Sequence, residues 1–426
     1  MSAAAAIERP LALEVAAQIG FGICRRAFWS GDRCTWLEAV PVQPHENPAR
    51  SLLAGPDVYG GTAGIGWFLA EAAERTGDAL LRRTARAALR QTAARAEEQF
   101  DRAPHGFYGG AAGTGAVLVA AGSVLGDSQS IEAGSELLAR LPGGAGRRDA
   151  ADIISGLAGT IVALAVGAHR LGGDDAMAQL AAEAGRNLLS IGERDAAGAL
   201  SWQTMEGTRA NLTGFAHGTA GIAHAFFLLD AVVPDRAWGE AAAAAIAYER
   251  ALLDPVRGWP DFRLLPGSPP DQTFYPVAWC HGAAGIAQGR LAARDARVDV
   301  GPDIAIGLAA TAAEARRALA AAGSDYTLCH GLLGLADCLL DAERRGHADV
   351  EPILAASIRH SVETFHHGER PWPSGLLSRE EIGGLMLGNA GIGHFFLRLA
   401  DSSLESVLVP GASLLRGPCE TSIFEA

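Results

Sequence analysis

The chain has 426 residues, 49% apolar, 19% charged and 6% aromatic, with 53 Gly, a composition that excludes intrinsic disorder, a collagen-like fibre and a small disulfide scaffold. A formal charge of −13 and a pI near 5.4 exclude a basic face of the kind that meets nucleic-acid phosphates. All 35 basic residues are Arg, which reflects coding bias and not a binding device.

In chain order, Met1 to Pro10 has neither the charged start nor the long apolar run of a secretory signal, so a cytoplasmic protein is expected. Residues before about Asp57 are expected to supply the first outer helix or helices. A Gly-x-x-Gly element then appears at Gly61 to Gly64 and recurs at Gly110, Gly156, Gly218, Gly282, Gly331 and Gly388, with a spacing of about 45 to 65 residues that is typical of repeat architectures. Each element precedes an apolar stretch, such as Ile65 to Ala70 or Ile222 to Leu229, and is expected to open a helix. Between them, Leu80 to Gln99, Ala176 to Leu189 and Ile304 to Ala321 place apolar residues at three- and four-residue steps, the pattern of amphipathic helices. Two uncharged stretches, Gly106 to Gly126 and Ala210 to Leu229, approach the length of a membrane span. Glycines break both, and the second carries His217 and His224, so buried helices and no integral membrane segment are expected. Leu265 to Pro270 and Pro371 to Pro373 are loop-sized, and no linker divides the series.

One polar outer helix and one Gly-started apolar inner helix, repeated seven times, predict an all-α fold, an α/α toroid with a double ring of seven inner and seven outer helices. The expected organisation is a single domain over 1–426, with N-terminal outer helices in 1–56 and the seven helical hairpins in 57–426. The same period also permits an open solenoid with capping repeats. Two glycines three residues apart would let a neighbouring backbone approach the first helical turn and leave its N–H groups pointing into a cavity.

The fourth, fifth and sixth elements carry the chemistry: Ala216-His217-Gly218, Trp279-Cys280-His281-Gly282 and Leu328-Cys329-His330-Gly331. In a closed ring, residues just before each glycine pair converge on one mouth. The six Cys are sparse, and two occupy the same place in neighbouring repeats, so Cys280 and Cys329 with one adjacent His match a zinc site with an open position. Cys24, Cys34, Cys338 and Cys419 read as small buried apolar residues. His224 and His394, on the apolar helices, read as core histidines, and His366-His367 as solvated structure.

Trp-Cys-His-Gly followed about fifty residues later by Cys-His-Gly, and preceded by Asp152-Ile153-Ile154-Ser155-Gly156 and Asn211-Leu212-Thr213-Gly214-Phe215-Ala216-His217-Gly218, resembles the lanthionine synthetase C-like family, the lanthipeptide cyclases. The resemblance spans all seven elements. It implies that Cys280, Cys329 and His330 are ligands of Zn2+, that His217 is the acid/base and that Asp152 is the carboxylate beside it. It also implies bacterial thioether-ring formation, in which peptide Cys adds to dehydroalanine or dehydrobutyrine of the same precursor. A dehydrated precursor peptide with leader and core, a separate dehydratase and a transporter are the implied partners.

The residue chemistry agrees. A free thiol has a pKa near 8.5, and zinc supplies its thiolate at neutral pH; two Cys ligands favour an electron-rich sulfur over water activation. Addition to the β-carbon leaves an enolate that needs a proton at Cα, and a His is suited to carry it. Asp152 is also placed to cap the helix that follows. His281, rotated by about 100° from its neighbour if helical, is assigned the substrate side, hydrogen-bonding enolate or sulfur. Some cyclases have Arg four residues before the first zinc Cys; here that residue is Pro276. Two alternatives remain, a family member that adds soluble glutathione to dehydrated residues and a non-catalytic scaffold of a peptide-modifying complex.

Overall fold

The computed structural model describes residues 7–40, 50–142, 151–269, 271–293, 298–321, 323–375 and 381–415. Among them are fourteen α-helices: α1 (Arg9–Arg25), α2 (Thr62–Thr76), α3 (Ala79–Gln99), α4 (Ala111–Leu125), α5 (Ser128–Ala139), α6 (Leu157–Arg170), α7 (Asp175–Ser190), α8 (Thr219–Val232), α9 (Arg236–Leu252), α10 (Ala283–Ala292), α11 (Gly301–Ala320), α12 (Leu332–Arg344), α13 (Glu351–Ser361) and α14 (Asn389–Ala400). Every even-numbered helix starts immediately after the first glycine of an element, and the odd-numbered helices alternate with them.

The two sets begin differently. On α3, α7 and α9 an Asp side chain caps the first turn: Asp78, Asp174 and Asp235 accept from backbone N–H groups just inside the helix, which satisfies donors that a helix start leaves open. The Gly-started helices have no side-chain cap on α2, α6, α8, α10, α12 and α14. Instead, a carbonyl seven residues earlier takes the first N–H groups, as in Thr219 N to Leu212 O at 3.0 Å, Leu332 N to Asp325 O at 2.8 Å and Asn389 N to Ile382 O at 2.9 Å. The preceding turn therefore folds over its own helix start. This corrects the expected role of the glycines, since the helical N–H groups are consumed by that turn and do not face a cavity. A Cβ on Gly334 would lie 2.0 Å from Leu328 O, so the second glycine is required by close approach.

Contacts divide the chain into two compact units. The first takes residues up to Ala103, Thr114–Leu137 and Glu314–Leu404; the second takes Pro104–Gly113, Leu138–Ala313 and the chain from Glu405. In the first unit α2 packs on α3 and α14, and α1 on α14. The Gly-started helices are buried nearly all round, as over Thr62–Ala73 except Trp67, whereas α3 buries one stripe including Leu81, Ala85, Ala88 and Leu89. In the second unit α6 packs on α7 and α8, and α8 on α9.

The described residues between Phe28 and Leu53 differ from the expectation of helices only. Two antiparallel pairs form there, β1 (Phe28–Ser30) with β2 (Arg33–Thr35) and β3 (Leu37–Val40) with β4 (Arg50–Leu53); the strands are too short to print an alternating pattern. Cys24, Cys34 and Cys338 are buried as expected, and burial pushes the Cys34 thiol up to about 12. Cys419 lies outside the described residues. His224 and His394 are buried in the core. His366 corrects its expectation: its side chain is 7% exposed, 3.6 Å from Glu14, while His367 is exposed. No helix among the described residues is long and apolar enough to cross a membrane.

Candidate active site

In the second unit the turns that precede α6, α8 and α10 carry Asp152, His217 and His281. A backbone bond clips the turns before α8 and α10, Ala216 N donating to Cys280 O at 3.2 Å, and the Thr204 side-chain hydroxyl donates to the His217 carbonyl. Asp152, 2% exposed, divides its carboxylate between two tasks. Oδ1 accepts the Ser155 N–H at 2.8 Å and fixes the turn; Oδ2 stands 2.6 Å from His217 Nδ1. A carboxylate on Nδ1 holds the imidazole in one orientation and leaves Nε2 as the reactive nitrogen. Gly156 stands at the N-cap position of α6, so Asp152 secures the turn without being that helix's cap.

His281, 6% exposed, stacks on His217 with centroids 5.5 Å apart and planes at 23°. It reaches that position through Gly282, whose φ of +92° belongs to glycine; a Cβ there would lie 1.7 Å from Pro276 O. Asp261, 4% exposed, is a neighbour the sequence reading missed. Burial opposes its ionisation, but hydrogen bonds from Arg263 and the charge of His281 hold it below the usual carboxylate range. Trp279 is buried against Tyr108 and Phe215. The segment 407–410 accepts from Tyr108 Oη at Val407 O (2.7 Å), Trp279 Nε1 at Leu408 O (2.8 Å) and His224 Nε2 at Pro410 O (3.0 Å).

In the first unit Cys329 is 3% exposed, and its N–H donates to Met386 O at 3.0 Å. The Tyr59 hydroxyl donates to Cys329 Sγ at 3.1 Å. His330 Nδ1 lies 2.6 Å from Asp325 Oδ2, and Asp325 Oδ1 accepts the Thr327 N–H at 2.7 Å. A cleft of about 270 Å3 opens beside His330, lined by Arg317, Ser324, Asp325 and Leu332 among others. A larger one of about 480 Å3, between α8 and α9, touches none of the six predicted residues.

The structure thus unites Asp152, His217 and His281 in one unit and Cys329 with His330 in the other, while Cys280, half-buried, belongs with the first trio. Among the described residues no three His, Cys, Asp or Glu side chains stand as a ready metal cluster. Tyr59 and Asp325 were also missed. Aligning elements on the first glycine would have found them: Tyr59, Cys280 and Cys329 all lie two residues before it, and Asp325 lies six before, opposite Pro276.

The family model for "Lanthionine synthetase C-like protein" matches residues 53–414. The chain belongs to the lanthionine synthetase C-like family. A comparison with curated protein sequences finds no match. Among solved structures, a nisin cyclase is similar at 16% identity and a TM-score of 0.60, covering 85% of this chain and 94% of its own. That likeness bears out the fold class, an all-α protein of the α/α-toroid type. Two weaker likenesses are an α-mannanase from Bacteroides thetaiotaomicron (12% identity, 93% and 96% covered, TM-score 0.49) and a cellobiose 2-epimerase from Spirochaeta thermophila (14%, 93% and 98%, 0.47). At that level they say nothing about chemistry.

Proposed function

We propose that the protein is a zinc-dependent lanthionine-forming cyclase, which adds cysteine thiols of a dehydrated precursor peptide to dehydroalanine or dehydrobutyrine residues of the same peptide. Family membership supports the reading, and the observation that carries it is the 2.6 Å pairing of Asp152 with His217 under the stacked His281. Cys280, Cys329 and His330 would hold the ion, whose charge keeps a substrate thiol ionised at neutral pH. The donor set fits: sulfur and imidazole are zinc's ligand types, three of them leave a position open, and a carboxylate on the far nitrogen is how metal-binding imidazoles are oriented.

Each turnover takes the proton from a Cys thiol, forms a C–S bond at the alkene β-carbon and places a proton on Cα, so substrate and product are isomers. His217 handles the proton at Cα through Nε2 while Asp152 holds Nδ1. His281 is the donor for the enolate oxygen, a task Pro276 has no side-chain group to perform. The partners on this reading are the precursor's leader and core, a separate dehydratase and a transporter, and the compartment is the cytoplasm. Purified protein, incubated with dehydrated precursor, is expected to remove alkylatable thiols in an enzyme- and zinc-dependent manner. No enzyme-dependent loss of thiol overturns the reading. Glutathione supplied with a Cys-free dehydrated peptide exposes transfer of a soluble thiol, and an undiminished product yield from Cys280→Ala marks a scaffold.

A further inference from the structure

We infer that Tyr59 is a positioning residue for the proposed metal site, its phenol hydroxyl donating to Cys329 Sγ and setting how electron-rich that sulfur is. The inference rests on the zinc reading above. Its basis is the 3.1 Å contact and the way both residues are held. Tyr59 O accepts the Met386 N–H at 2.9 Å, and Met386 O accepts the Cys329 N–H at 3.0 Å, so one intervening turn fixes donor and acceptor together. Asp57 secures the Tyr59 turn, taking the N–H groups of Gly60 at 2.9 Å and Gly61 at 3.2 Å.

In a cysteine only 3% exposed the sulfur receives little help from water when it bears negative charge, and a hydroxyl donor replaces part of that solvation. Donation draws electron density from the sulfur, so it gives less to a bound cation, which stays a stronger acid toward the substrate thiol. Tyr59 sits at the place in the first repeat that Cys280 and Cys329 occupy in theirs, so one repeat supplies the donor for a ligand of another.

The test uses the full-length protein loaded with Co2+, whose sulfur-to-metal charge-transfer absorption reads the sulfur directly. In Tyr59→Phe that band is expected to move to lower energy, because the sulfur without its donor is more electron-rich. Tyr59→Gln, which returns an N–H donor, is expected to move the band back toward the wild type. A merely structural role would lower thermal stability and leave the band in place. An unmoved band in cobalt-loaded Tyr59→Phe overturns the inference and leaves the zinc reading standing. If Tyr59→Phe does not load, a wild-type band in Tyr59→Gln supports the inference and failure of both variants to load overturns it. Absence of any sulfur band in the wild type removes the zinc reading and this inference with it.

Discussion

Cys-His-Gly occurs twice, and the two copies are folded differently. In the fifth element Gly282 takes φ +92°, Ala278 N donates to His281 O at 3.1 Å, and the His281 ring is buried against His217. In the sixth, Gly331 takes φ −95°, and His330 is 40% exposed with its Nδ1 on Asp325. The residues six places before the two glycines differ correspondingly. Pro276 offers a carbonyl, which accepts the Ala283 N–H at 3.3 Å; Asp325 offers a carboxylate as well, which orders its own turn and reaches the histidine. The same tripeptide therefore yields one imidazole packed for contact with a second histidine and another oriented by a carboxylate. Local sequence sets the side-chain types; the turn before it sets where each imidazole packs.

The sharpest way to break this contrast is His217→Asn, expected to slow cyclisation by about 10²–10⁴-fold, the usual worth of a general acid or base, with zinc content by elemental analysis unchanged; loss of zinc alongside activity would contradict the division of tasks. Gly282→Ala is expected to destabilise the fold by about 3 kcal/mol, since strain at a left-handed position adds to the clash with Pro276 O, read as a lower urea midpoint. Asp325→Asn should weaken zinc retention by roughly tenfold with little change in that midpoint, because partly exposed pairs contribute at most about 1 kcal/mol. The smallest effect at neutral pH concerns His224, which burial lowers to about 4. Below its ordinary value of 6.5 the unfolded chain takes up a proton that the folded chain refuses, so stability is present above that pH and is lost as pH falls toward 4. His224→Gln is expected to flatten this limb in urea titrations from pH 7 to 4.5, and an unchanged slope would exclude the assignment.

The seven helix starts were legible because the glycine pairs and their apolar followers are local and repeated. Cys24, Cys338, His224 and His394 were legible as core because each falls in or beside an apolar run, and Cys34, between Arg33 and Thr35, because an isolated cysteine is usually buried. The short strands of residues 28–53 were not, being three or four residues each, nor was the burial of His366, which depends on packing and not on its neighbours in sequence. Within the candidate site, the approach of Asp152 to His217 was anticipated from the family resemblance; Tyr59, Asp261 and Asp325 act as single side chains with no periodic signal, and only alignment of the turns exposes two of them. The turns that take the first N–H groups of the Gly-started helices were not legible, because a seven-residue return bond leaves no trace in hydropathy.

Val407, Leu408 and Pro410 supply only backbone acceptors to Tyr108, Trp279 and His224, the first of these across 299 positions of chain. On the ribosome, a nascent polypeptide that has not yet reached them lacks three acceptors of the finished fold, and an intramolecular hydrogen bond contributes on the order of 1 kcal/mol. The packing around Tyr108, Trp279 and His224 thus matures late, by a closure of very long range that slows folding, and truncation upstream of Val407 is expected to trap an immature product with its helices formed.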